Sequence, residues 1–452
     1  MDIKAWPKSI DIILLLFLSF FTIDMVVMKP LMIIAGIIAI AKYLKWADLK
    51  KAPLFYLLIA ILCVVNYLVI HPDFTQSHFT SFCIGTGYWL MSFAAFLIIS
   101  KRVELNTSAT TEKTIDAWFI INILFTVGNL VMVMAKAHSL NPYMLTDEAY
   151  GNSTGDYLKG LLMGPSYINM FINSFFCIYY LYNGRYNLAI LATVLACLTT
   201  SNFANFIFIL VLLSCLFILK EKKARMTIAL QLGFYVLFYL VISNNNLAYI
   251  GNTLKGKKGD NVETTALKSI KMPFANKYPN AWYNKYGKTV AFVETGEYLI
   301  NSPKNLMFGA GVGGFSSQLA LRTSDIPGLN KSRLFQRIPA YVCPAFMLNH
   351  YAVFAAIYGM PPAYHSIRHF PSSTANQIAG EYGLLGILVF FVFYLFYFAR
   401  RYKHMTFSLP ILVMLCWFLL FDYLFEYLSV VIFFELFFLM DMKRVATKNN
   451  LR

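Results

Sequence analysis

Long apolar runs, separated by short links that carry most of the cations, set the pattern of the chain. Such runs fall at 10–28, 30–44, 53–70, 82–100, 115–135, 161–182, 186–200, 203–219, 226–243, 377–399, 407–421 and 424–441. A predominantly apolar stretch of about 17–25 residues is long enough to cross a bilayer as a helix. The pattern therefore predicts an all-α polytopic integral membrane protein with about twelve transmembrane helices. The runs at 30–44 and 186–200 are short for this purpose and 407–421 is marginal. The first run follows Lys4 and Lys8 without a small-residue cleavage site, which predicts a retained anchor and not a removed signal peptide.

Composition agrees with the pattern. Hydrophobic residues make up 58% of the 452 positions and charged residues 13%, about half the charged share of a soluble domain, roughly 25%. Lys/Arg clusters at 42–51, 101–113, 185, 220–225, 400–403 and 443–452 occupy every second link. By the positive-inside rule these links are cytoplasmic, together with both termini. The one long connection, between the ninth and tenth spans, then lies outside. The expected division is 1–243 for the first nine spans, 244–375 for the outer loop and 376–452 for the last three spans and tail. Residues 244–374 hold fourteen Lys/Arg against five Asp/Glu, an excess that fits an anionic partner: the phosphates of a lipid-linked substrate or anionic headgroups. No nucleic-acid partner is expected. Seven cysteines are scattered, with only Cys343 in the loop, so no disulfide framework is predicted.

Candidate chemistry concentrates in the second half of that loop. Residues 288–300, KTVAFVETGEYLI, space their apolar positions near the helical period, predicting an amphipathic helix at the membrane surface. Gly309-Ala310-Gly311-Val312-Gly313-Gly314 formally matches a dinucleotide fingerprint. It lacks the preceding strand and the following acidic residue, so it is read as a tight turn whose backbone can approach another segment or a ligand closely. No cofactor is expected. Arg322, Arg333, Arg337 and Arg368 offer planar forks suited to phosphate oxygens. His350, His365 and His369 stand close together without nearby metal-ligand carboxylates or cysteines, which argues against a closed zinc site and leaves acid–base work for one of them.

Pro371-Ser372-Ser373-Thr374 followed by an unbroken helical pattern is a helix start. Thr374, Gln377 and Glu381 fall at i, i+3 and i+7, on one face of a span entering from outside, with the positive end of its dipole toward the loop. Glu381 is the candidate base. Asn376 and Gln377, with Gly311 and Gly313, are candidate substrate contacts. Asn66, Asn122, Asn129, Asn169, Asn173, Asn202 and Asn205 lie within apolar runs and are read as interhelical hydrogen-bond glue.

The long outer loop before the tenth span, the FGAGVGGFSS turn after an amphipathic helix, and the HSI and NQIAGEYGLLG segments leading into a span together resemble the bacterial O-antigen ligase/polymerase superfamily, including Wzy-type polysaccharide polymerases. Topologically the resemblance covers nearly the whole chain; in motifs it covers about residues 285–390. It implies a GT-C-like, metal-independent glycosyltransferase of the bacterial inner membrane, acting at the periplasmic face on glycan carried by undecaprenyl pyrophosphate. A flippase and a chain-length regulator would be its partners. On this sequence the family's loop arginines correspond to Arg322 and Arg368, its loop histidine to His365 or His350, and its helix-start glutamate to Glu381. Ser372-Ser373-Thr374, Ser201-Asn202 and Lys288 stand where many members carry His-Asn, Ser-Arg and Arg.

Overall fold

The computed structural model describes residues 10–25, 28–43, 52–138, 140, 157–199, 202–241, 287–324, 326, 343–358 and 370–450. Arg333, Arg337, His365, Arg368, His369 and the lysine-rich stretch before residue 287 lie outside the described residues. Among the described residues the fold is all-helical, and each of the twelve apolar runs contains a helix. Among the described residues three helices are long and apolar enough to cross a membrane: Gln76–Leu105, Ser108–Lys136 and Thr374–His404. Shorter apolar helices include Ile12–Phe21, Phe55–Ile70, Tyr186–Leu198, Ala204–Ile218 and Ser408–Phe418. This architecture is consistent with an α-helical membrane protein.

The helices pack through small residues and polar contacts, as expected where lipid removes the hydrophobic drive between helices. Lys29–Tyr43 runs along Gln76–Leu105; a Cβ on Gly36 would stand 3.3 Å from the Met91 Cα, so glycine sets the approach. Asn122, Asn129 and Asn169 act as glue. Asn122 Nδ2 donates to Asn169 Oδ1 at 3.0 Å, and Asn169 Nδ2 donates to Leu158 O at 2.9 Å. The Leu161 and Gly160 amides donate to Asn122 and Asn129, each at 3.0 Å.

Polar contacts sort the links onto two ends of the bundle. At one end Arg102 pairs with Asp11 at 2.5 Å, Arg185 pairs with Asp116 at 2.6 Å, and Lys443 donates to Val103 O at 2.6 Å. The start of the first run and the C-terminal tail therefore share an end. At the other end the Asp24 amide donates to Leu162 O at 2.7 Å, His71 Nε2 lies 2.9 Å from Gly309 O, and Lys29 Nζ donates to Glu426 O at 2.7 Å.

The helix predicted over 288–300 is observed as Gly287–Ile300. Its protein-facing stripe is Val290, Ala291, Glu294, Thr295, Tyr298 and Leu299. Phe292, Val293 and Ile300 are 39%, 44% and 76% exposed, so the apolar positions divide between the two faces. Two packing demands compete along this segment, one from the bundle and one from its outer surface.

Candidate functional site around Glu381

The glycine turn is built by glycines on both partners of a backbone contact. Gly309 has φ 68° and Gly383, inside the Thr374–Phe390 helix, has φ 63° and ψ −156°, a region essentially closed to residues with a Cβ. Gly383 breaks that helix one turn beyond Gly380. The carbonyls of Gly380 and Glu381 accept from the Ala310 and Gly311 amides, both at 2.9 Å. A Cβ on Gly309 would lie 2.5 Å from the Glu381 carbonyl carbon, and one on Gly383 2.6 Å from that of Met307. The close approach expected of the turn is thus made to another segment of the chain, and the Gly311 amide is engaged there. Asn66 Nδ2, donating to Phe308 O at 3.1 Å, and His71 hold the turn from the other side.

The helix begins where the sequence indicates. Ser373 is the N-cap, its hydroxyl accepting from the Asn376 amide at 3.4 Å. Thr374, Gln377 and Glu381 do share a face, and the face has a target. Thr374 Oγ1 donates to Asp422 O at 2.7 Å and accepts from the Leu424 amide at 3.0 Å. Gln377 Nε2 donates to Glu426 Oε1 at 2.7 Å, which also accepts from the Gln318 amide at 3.1 Å. Glu381 and Glu426 then line one cavity with Gly313, Ser317, Gln377 and Trp89. About 10 Å³ of it is open to the centre of a water-sized sphere, room for roughly one water molecule. Glu381 is fully buried. The Ser317 hydroxyl and the Gly313 and Phe315 amides face its carboxylate, yet neither oxygen completes a hydrogen bond of ordinary geometry.

Arg322 sits in the last turn of the short helix Gln318–Thr323, which the same loop leads into. Its guanidinium lies within electrostatic reach of Asp24, Tyr88, Tyr358 and Tyr427. Asp24 is itself paired with Lys29 at 3.0 Å, both buried. The arginine therefore acts on Tyr88, which also lines the carboxylate cavity.

His350 and Asn376 form a separate polar thread. His350 is fully buried, with Nε2 3.2 Å from Ala291 O and 3.4 Å from Thr295 Oγ1, and its ring 4.5 Å from that of Phe315. Thr295 Oγ1 lies 3.2 Å from Asn376 Oδ1. Burial pushes the imidazole down to about 4, so it is neutral at physiological pH. Phe315 connects the two groups, its ring against His350 and its amide facing Glu381. Lys288, standing where the resemblance has arginine, donates to the carbonyls of Ser372 and Phe421; burial pulls its ammonium down to about 7.

Sequence reasoning missed Glu426, Asp422 and the Asp24–Lys29 pair. The signal was present, because an ionisable residue inside an apolar run is a functional candidate by default. Asp422 falls at the seam between two runs, where it reads as a link residue, whereas Glu426 stands near the start of the run 424–441. Leu428, two positions on, has φ 63°, a strained geometry for a bulky residue. Comparisons with protein-family models, with curated proteins and with solved structures find no match to this chain.

Proposed function

We propose that the chain is a bacterial inner-membrane glycosyltransferase of about twelve spans, both termini cytoplasmic, that polymerises undecaprenyl-pyrophosphate-linked repeat units at the periplasmic face. The observation that carries the reading is Glu381: a fully buried carboxylate two turns into a span-length helix, in a small cavity walled by the glycine-rich loop, with Arg322 in the short helix that follows that loop. In this reading the acceptor hydroxyl gives its proton to Glu381 as its oxygen bonds to the donor's anomeric carbon. The bond from that carbon to the pyrophosphate breaks, and Arg322, with Arg333, Arg337 and Arg368 of the same loop, neutralises the departing charge. His365 orients the acceptor. An O-antigen ligase would use the same donor with a lipid A-core acceptor.

A reading of another class, a lipid-linked oligosaccharide transporter, draws on the break at Gly383 and the buried carboxylates beside it, since transporters place broken helices at their binding sites. Reconstitution of the purified chain with a lipid-linked repeat unit separates the two. Polymerisation predicts longer glycans on the lipid and loses most of them in Glu381→Gln, with chelators without effect. Movement of unextended substrate across the bilayer, with no lengthening, would replace the polymerase reading with the transporter.

A further inference from the structure

Hydrogen-bond accounting in the Glu381 cavity leaves an excess of one kind of group. Four buried side-chain oxygens on its lining residues complete no hydrogen bond: both oxygens of Glu381, Oε2 of Glu426 and Oε1 of Gln377. The three side chains are 0%, 2% and 3% exposed. Gln377 cannot be turned to offer its nitrogen, because that NH₂ already donates to Glu426 Oε1 at 2.7 Å. Two buried carboxylates and an amide oxygen left over in this way, with the Ser317 hydroxyl and the Gly313 and Phe315 amides facing Glu381 outside hydrogen-bond geometry, call for a positive charge, since buried charges are otherwise paired. The cation acting on Glu426 is Lys29, and it is committed to Asp24 at 3.0 Å and to the Glu426 carbonyl at 2.7 Å.

We infer that Glu381, Glu426 and Gln377 form a binding site for one dehydrated monovalent cation of the size of Na⁺. Ligand number and space decide the class. Four oxygens are available, with the Ser317 hydroxyl facing Glu381 as a fifth. Ca²⁺ takes about 6–8 oxygens and Mg²⁺ retains several waters; a cavity with room for about one water supplies neither. The ion would bridge the Thr374–Phe390 helix to the Leu424–Tyr427 turn, fixing the base of the glycine loop. The titratable and charged groups that act on the carboxylates are Lys29, Tyr88, Asp422 and Tyr423 at Glu426 and Cys63 and Tyr382 at Glu381, with Arg322 acting on Tyr88.

Trp89 lines the cavity and supplies the readout. The full chain in detergent is titrated with NaCl against N-methylglucamine chloride at constant ionic strength, without lipid-linked substrate, following tryptophan emission and thermal unfolding. The result therefore stands apart from the glycosyl-transfer reading. Expected are a saturable Na⁺ response in emission that is missing from Trp89→Phe, and at least tenfold weaker Na⁺ affinity in Glu426→Gln. Gln377→Glu, with a third carboxylate, should bind Na⁺ more tightly, and it covers the case in which Glu426→Gln fails to fold. An unchanged emission and melting temperature in Na⁺ for folded wild type overturns the inference. So does a response to Ca²⁺ alone, or a response to pH with no Na⁺ dependence, which would assign the chamber to a shared proton.

Discussion

Replacing Gly383 by alanine tests whether the helix break is a designed contact. The backbone there has φ 63° and ψ −156°, and forcing a Cβ into that region costs about 1–3 kcal/mol. The new methyl would also stand 2.6 Å from the Met307 carbonyl carbon and 2.7 Å from Leu306 O; these are backbone atoms that cannot swing aside, for a further cost of about 1–3 kcal/mol. Against this, alanine lowers the entropy of the unfolded chain, worth about 0.4–1 kcal/mol. The net is about 3 kcal/mol of destabilisation, roughly a hundredfold in the folded-to-unfolded ratio. Gly128 and Gly233 give internal controls: both lie inside helices, without positive φ and with nothing within 4 Å of an added Cβ, so alanine there should be neutral or stabilising by about 0.5–1 kcal/mol. Thermal unfolding followed with a thiol-reactive fluorogenic dye suits this chain, because Cys63, Cys177, Cys197, Cys215 and Cys343 are buried and react only on opening, while exposed Cys83 and Cys416 set the baseline. Gly383→Ala should melt several degrees below wild type and both controls at or above it. If Gly383→Ala melts with the controls, the loop is not locked to the helix at this point, and the placement of Glu381 by that lock fails with it.

Other perturbations follow from the same geometry. His350 is held near 4, below its ordinary 6.5, so the unfolded chain binds a proton that the folded one refuses between those values; stability of wild type should fall relative to His350→Gln as pH drops through that window, seen in paired melting curves. Lys288 is lowered to about 7 from 10.5, and by the same sign wild type should gain stability relative to Lys288→Met as pH rises from about 7 to 10.5. Arg322→Ala should abolish polymer in the reconstituted assay while Arg322→Lys retains a fraction, since charge survives but the planar fork does not; full activity in the alanine variant would remove pyrophosphate contact from this position.

What the residues disclosed without coordinates depended on whether the signal was local. The Ser373 cap, the shared face of Thr374, Gln377 and Glu381, and the glycines of the turn are written within a few positions of one another, and helical geometry suffices to read them. What that face meets was not readable, because Asp422 and Glu426 lie some forty-five positions downstream and nothing in the intervening apolar sequence marks the register. The break at Gly383 was hidden for a related reason. Leu384, Leu385 and Ile387 continue the apolar run straight through it, and a single glycine in a membrane helix is as compatible with close packing as with a break. Only the partner distinguishes the two: the Gly380 and Glu381 carbonyls sit where Ala310 and Gly311 present their amides, so the hydrogen bonds that the break disturbs are replaced by the turn. The two glycine-rich motifs, read separately as a turn and a helix start, are therefore two halves of one joint. That joint fixes Glu381 from its own backbone carbonyl, while Gly313, Phe315 and Ser317 meet its side chain from the same loop. A residue whose backbone is held in this way and whose side chain is buried among those groups has little freedom to leave the cavity, which is the property that either a base or an ion ligand at this position requires.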